Sequence, residues 1–331
     1  MEILNDLKAW FEGIYMDKLI DIRAYPIKDV LTILLKDKTT KQNIIWATDA
    51  YSDHGPHFSD RSQITLDSFT GGDAVDLRPR ILKSLDAQQE RTRKKGEVFT
   101  PVWICNRMNN HTDEVWFGRK DVFNTESGNG TWNVTEGRIE FPKNKRWQKY
   151  IDSRRLEITC GEAPYLVSRY DTSTGEMIVP LLRRIGMLDR KFRIVNENTW
   201  SEEEWTKWTI RAIQSCYGYE WQGDSLLIGR INVLMTFYEH YKDRWNREPE
   251  PRLLKEVANI IAWNLWQMDG LKDTVPLGKP EEEPNHQYTI FEWMAPEKAE
   301  KVKEIERAAG PYCKIYDWRR GNSSLYKELK G

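Results

Sequence analysis

The spacing of apolar and polar positions divides this chain into segments of different period. Ile3, Leu4, Leu7, Trp10, Phe11 and Ile14 recur at helical intervals, which predicts an amphipathic helix over residues 2–15 packed on a core. Two apolar runs follow, D-V-L-T-I-L-L at 29–35 and N-I-I-W-A-T at 43–48, separated by the turn-like K-D-K-T-T-K. With the polar loop from Asp49 to Gly72 they predict a small α+β part over residues 1–80. Asp53, His54 and His57 lie close together there, but short polar loops often look like this, and no catalytic constellation is assigned. From about residue 80 a helical pattern leads to Pro101, which is placed to open a further helix. The Asn, Gly, Thr and Ser between Asn124 and Gly137 predict a surface excursion.

The pattern is most ordered between residues 155 and 271. L-E-I-T (156–159) reads as a strand, and T-C-G-E-A (159–163) as the loop after it, opening toward a helix. Ser201 followed by Glu204 is a capping box, after which Trp205, Trp208, Ala212, Ile213 and Cys216 keep a helical period. Y-G-Y-E (217–220) reads as a short strand. Asp224 and Ser225 offer an N-cap for a helix with Leu227, Ile228, Ile231, Leu234, Met235 and Tyr238 inward. Pro251 starts a third helix through Leu254, Val257 and Ile261 toward W-N-L-W-Q-M-D-G-L. The order β, α, β, α, α, β predicts an α/β fold with a parallel sheet and helices against it. Residues 81–275 form one cofactor-binding domain in this reading, and the Pro- and Glu-rich stretch after 276 a linker and C-terminal segment to 331.

Composition narrows the classes. With 39% apolar residues, 15 Trp, 14 Tyr and 10 Phe, the 331-residue chain carries too much ring surface for a solvated, disordered polymer. Fifty basic residues against 51 acidic ones leave a net charge of −1, so bulk charge names no partner. Basic residues gather at 91–95, at Lys143 to Arg155 and at Arg183, Arg184, Arg190, Lys191 and Arg193, a pattern suited either to a phosphate backbone or to a solvated face. E-E-E runs stand at 202–204 and 281–283. Cys105, Cys160, Cys216 and Cys313 are far apart and form no C-x-x-C, so neither a metal site nor a disulfide framework is expected, and a reducing cytoplasm is the expected setting. No run of 18 apolar residues predicts a membrane span. Trp103, Trp116, Trp147, Trp205, Trp208, Trp263 and Trp266 are expected in the core.

An open parallel sheet binds ligands beyond the carboxyl ends of its strands, and an acid ending the second strand commonly receives a ribose diol. Gly161 in the first loop, Glu220 ending the second strand and Asp269 after the third stand in that order, with Trp221 directly after Glu220. Each alone has an ordinary structural explanation; the order gives them weight together.

These residues carry a resemblance to the N6-adenine DNA methyltransferases, in particular the modification subunits of restriction-modification and phage-defence systems. G-E-V-F-T-P (96–101) resembles the F/Y-T-P segment that packs over S-adenosylmethionine there. L-E-I-T-C-G-E-A-P-Y-L-V (156–167) is similar to L-E-P-A-C-G-T-G-x-F-L, Y-G-Y-E-W-Q-G-D-S (217–225) to the segment with the ribose-binding acid, and W-Q-M-D-G-L (266–271) to the strand end that meets the adenine. The resemblance covers roughly residues 90–275. It implies a Rossmann-like sheet with helices on both faces. It also implies a cofactor site for S-adenosylmethionine built from Phe99, Thr100, Pro101, Glu157, Cys160, Gly161, Glu220, Trp221 and Asp269, with DNA as the substrate. Two departures stand out. Ala163 and Pro164 replace the second loop glycine and its neighbour, and a β-methyl at 163 suits the turn only if φ stays negative. The N-P-P-Y or D-P-P-Y tetrapeptide that holds the target amine is absent, and the segment I-Y-D-W-R-R-G-N-S-S-L-Y resembles what precedes it in fused relatives, so no catalytic residue is assigned. A second chain is expected to supply that motif and target recognition. The alternative is a non-catalytic DNA- or protein-binding module on the same scaffold; a nuclease ranks below both, because no acid-rich metal pattern with a nearby lysine is present.

Overall fold

The structure is a computed structural model that describes residues 19–85, 88–89, 92–93, 100–277 and 311–329. The helix expected at 2–15, Phe99 and the acidic run at 281–283 lie outside the described residues. The fold is mixed α/β with small sheets. Its helices are α1 (Ile27–Leu34), α2 (Asp67–Thr70), α3 (Val102–Phe117), α4 (Trp147–Ile151), α5 (Met187–Asn198), α6 (Glu202–Gln214), α7 (Gly223–Trp245) and α8 (Pro251–Asn264). Its strands are β1 (Asn124–Glu126), β2 (Trp132–Val134), β3 (Arg155–Glu157), β4 (Cys216–Glu220), β5 (Leu265–Gln267), β6 (Lys314–Asp317) and β7 (Asn322–Leu325).

β3, β4 and β5 form one parallel sheet in that order, with Glu157 opposite Gly218 and Glu220 opposite Gln267. Each crossover is helical, α5 and α6 between β3 and β4, then α7 and α8 between β4 and β5; the β, α, β, α, α, β pattern predicts the parallel strands but one helix, not two, between the first pair. Strand alternation splits the side chains between two cores. Cys216 and Leu265 join the large cluster built by α5 to α8, whereas Tyr217, Tyr219, Trp266 and Met268 pack with Cys313 and Tyr326 of the C-terminal hairpin β6–β7. Helices therefore cover one face of this sheet; on the other, the expected helical layer is replaced by that hairpin, whose Tyr326 ring meets Tyr219 at 6.0 Å and Trp266 at 5.2 Å.

Local rules explain most helix starts. Ser201 Oγ accepts from Glu204 N at 3.2 Å at the start of α6, Pro251 is the first residue of α8, and Pro101 is the N-cap of α3. The cap expected at Asp224 and Ser225 falls elsewhere: α7 already runs from Gly223, because the Asp224 carboxylate is taken by Tyr51 Oη (2.9 Å) and Lys83 Nζ (3.0 Å). The excursion at 124–137 is the β1–β2 hairpin, anchored by buried Asn124 and Trp132. The run at 29–35 lies mostly in α1, and 43–48 makes only isolated bridges, Lys36 with Asn43 and Ile45 with Gln63. Ile27, Val30, Leu31 and Leu34 belong to the same core as Leu254, Val257 and Ile261. Among the described residues no helix is long and apolar enough to cross a membrane.

Candidate functional site

The main cleft, about 1060 Å³, opens at the carboxyl ends of β3 and β4. Its floor is the loop after β3. Thr159, Gly161 and Ala163 all take left-handed backbone, with φ of +46°, +52° and +64°. Gly161 meets nothing within 4 Å of where a Cβ would stand, so it serves the turn rather than a close contact. Ala163 does adopt the conformation that its methyl disfavours, at a cost of about 1–2 kcal/mol. Its amide bonds Cys160 O at 2.7 Å, and the methyl is fully buried.

The helix expected after this loop does not form. Pro164 has no amide to donate, and the two amides after it are claimed by Glu157, whose carboxylate accepts from Tyr165 N at 3.2 Å and Leu166 N at 2.9 Å. A single turn, Val167 N to Ala163 O at 2.9 Å, stands in its place. Burial pushes the Glu157 carboxyl up to about 8 against the pull of those two amides, and nearby Glu220 raises it further. Burial likewise pushes the Cys160 thiol well above its ordinary range, which disqualifies it as a nucleophile at neutral pH.

Glu220 ends β4 with its carboxylate turned to the loop. Oε2 accepts from Gly161 N at 2.9 Å and Oε1 from Gln222 N at 3.1 Å. The first strand's loop and the second strand's acid are thus joined in one wall. Trp221 borders the same cleft, its indole N–H donating to Ala47 O at 3.0 Å. Thr100 lines the same cleft, its carbonyl accepting from Thr172 Oγ1 at 3.0 Å. The segment 45–47 crosses beyond β4 and β5: Gln267 Oε1 accepts from Ile45 N at 2.9 Å, Gln267 Nε2 donates to Ile45 O at 2.8 Å, and Gly223 N donates to Trp46 O at 2.9 Å.

Of the residues singled out from sequence, Thr100, Glu157, Cys160, Gly161, Glu220 and Trp221 line this one cleft. Pro101 is spent on the α3 cap, and Asp269 is outside the lining, where Oδ1 accepts from Leu271 N at 3.0 Å and Lys272 N at 3.3 Å in a tight turn. Glu162 and Arg80 are among the lining residues that were not foreseen. Glu162 is buried, taking Arg80 N at 2.6 Å and Tyr170 Oη at 2.7 Å. Arg80 comes from 82 residues away, a separation no local pattern encodes. The basic cluster on α5 is also turned inward: Arg190 bonds Asp113 at 2.6 Å, and Lys191 donates to Ile151 O, Ser153 O and Ser215 Oγ. Among the described residues no group of three or more His, Cys, Asp or Glu is placed to hold a metal ion. Comparison with protein families, with curated proteins and with solved structures gives no match for this chain.

Proposed function

We propose that the cleft binds S-adenosylmethionine and that the chain is the cofactor-binding part of a DNA adenine-N6 methyltransferase of the restriction-modification or phage-defence kind, with a Rossmann-like sheet. The observation that carries this reading is the junction of Glu220 with Gly161 at 2.9 Å at the carboxyl ends of adjacent parallel strands, with Thr100 on the same cleft. In that place Glu220 would receive the ribose hydroxyls, Trp221 would flank the base, and the loop of Cys160 and Gly161 would lie along the amino-acid end. The cofactor supplies the methyl group. The chain's own residues bind and orient: Glu157 fixes the backbone of Tyr165 and Leu166, and Glu220 fixes the amide of Gly161. Methyl transfer to an amine depends mainly on positioning, and the tetrapeptide that would hold the amine is absent from this sequence. A partner chain is therefore the proposed source of that motif and of DNA recognition, and the chain alone is expected to be inactive.

Calorimetric titration of the purified chain with S-adenosylmethionine and S-adenosylhomocysteine tests this. Saturable binding in the micromolar range, about −8 kcal/mol, abolished in Glu220→Ala, is the expected result. No heat from a folded protein would overturn it and favour the second reading, a non-catalytic DNA- or protein-binding module on this scaffold, to which the missing tetrapeptide also points.

A further inference from the structure

Three elements distant in sequence bring lysines together at the amino end of β5. Trp263 ends α8 just before that strand, and the Tyr316 ring of β6 stands 5.3 Å from it. The turn after α1 closes over the same tryptophan, with Lys41 Nζ 5.2 Å and Lys38 Nζ 5.9 Å from the ring centroid. Thr39 Oγ1 accepts from Lys314 N at 3.0 Å, which ties the start of β6 to that turn. Lys36, Lys41 and Lys314 are exposed; Lys38 is partly buried, its ammonium donating to Asn259 Oδ1 at 2.7 Å. None of these four lysines is ion-paired, whereas Arg154 and Arg320 are taken by Asp317, and Arg319 by Asp152. The acid inside the group, Asp37, is buried and serves the turn itself, accepting from Thr40 N at 2.8 Å and Thr40 Oγ1 at 2.6 Å. On α8, exposed Glu256 stands beside exposed Lys255 and Arg252. Burial pushes the Lys38 ammonium down to about 8, and Arg230 and Lys41 push it the same way against the pull of Asp37. Lys41 also holds left-handed backbone, with φ of +65°, a region that favours glycine. The fold thus crowds like charges, one of them on disfavoured backbone, with no exposed acid inside the turn to neutralise them.

We infer that this face binds a nucleic-acid duplex by its phosphate backbone, irrespective of base sequence. Unpaired lysines select a polyanion, because phosphates would relieve the repulsion that the fold leaves in place. The apolar surface selects against a protein or a membrane. Over the turn at 36–41, on α8 and on β6 no large apolar side chain is exposed to anchor either one, and the nearby Tyr312 ring is capped by Lys327 Nζ at 3.3 Å. The rings select a duplex over a single strand. Trp263 already carries two ammonium groups and Tyr316 packs on Trp318 at 4.5 Å, so no ring stands free for a base to stack on. Contacts to phosphate position a duplex without reading it, which leaves target recognition with the partner chain proposed above. None of the four lysines lines the cleft, so the inference does not rest on the cofactor reading.

The test uses the full chain without S-adenosylmethionine. Fluorescence anisotropy is read against two short DNA duplexes of unrelated sequence, a single strand and polyglutamate, between about 50 and 200 mM salt. Both duplexes are expected to bind alike and more tightly than the single strand, with log affinity falling on log salt at a slope of about −3 to −4, as for three or four neutralised phosphates. Lys36→Ala, Lys41→Ala and Lys314→Ala should each flatten that slope by about one. Lys242→Ala, at a lysine paired with Glu248, should leave it unchanged. The three test positions are exposed, so the variants should stay folded. No binding at the lowest salt, slopes unaltered in the three variants, or preference for the single strand would overturn the inference. So would equal binding of polyglutamate, which would make an acidic protein segment the partner. Cofactor titration is a separate readout: duplex binding without it sinks only the cofactor reading, and the converse only this one.

Discussion

Burial and hydrogen bonding act in opposite directions on the Glu157 carboxylate. Two backbone amides favour its charged form, yet desolvation prevails and lifts the group to about 8. A carboxyl whose folded value lies above its unfolded one binds its proton more tightly in the native state. Its stabilising contribution is complete below the unfolded value of 4.5 and is lost as pH rises through about 8. Wild type should thus lose stability between pH 5 and 8 relative to Glu157→Gln, by at most about 1.4 kcal/mol per pH unit. Thermal unfolding of both proteins across that range reads the difference directly. Parallel curves would mean that Glu157 is as well solvated in the fold as in the unfolded chain.

A glycine inside a helix usually weakens it, and replacing it with alanine usually gains about 1 kcal/mol. Gly229 in α7 should behave in the opposite way. A Cβ there would come 2.9 Å from Gly161 O and 3.5 Å from the Ala163 methyl, so the helix is notched to seat the loop after β3. Gly229→Ala should destabilise the protein by about 1–3 kcal/mol and weaken S-adenosylmethionine binding by displacing Gly161. Urea unfolding together with the calorimetric titration checks both effects, and a more stable variant with unchanged binding would refute the notch. This contact marks what a sequence reading reaches. The three strands of the parallel sheet, their order and the starts of α3, α6 and α8 are legible because periodicity, Ser201 and the prolines act over a few residues; the hairpins β1–β2 and β6–β7 are not. The turn in place of the helix after Gly161 was not legible, since it depends on Glu157 taking amides eight and nine residues ahead. Trp103, expected in the core, is 39% exposed with the Arg107 guanidinium 5.3 Å from its ring. The inward Arg190 and Lys191 of α5 escaped for the same reason as Arg80: a charge run reads as solvated until its distant acceptors, Asp113 for Arg190 and the Ile151 and Ser153 carbonyls for Lys191, are in place.

At the scale of the molecule, the open question is whether residues 19–80 fold with the sheet or beside it. Arg230 in α7 decides much of this. It is fully buried and gives its guanidinium to four carbonyls, Leu34 and Lys36 at the end of α1, Ala262 in α8 and Leu265 at the start of β5. Burial pushes it down to about 10, yet it stays protonated at neutral pH. The Ile45–Gln267 exchange and the Asp224 contacts with Tyr51 and Lys83 add to the same junction. Arg230→Met keeps the apolar stem and strands these acceptors, at about 1–3 kcal/mol for each that water cannot reach. If the two parts form one cooperative unit, tryptophan fluorescence, which includes buried Trp46, and far-ultraviolet circular dichroism should share one denaturation midpoint in wild type. Both should fall together in Arg230→Met. A variant in which fluorescence shifts while dichroism holds would show that the segment carrying Trp46 melts from an independently stable sheet. The Trp221 side of the cleft would then lose the Ala47 carbonyl that holds its indole before the floor was lost.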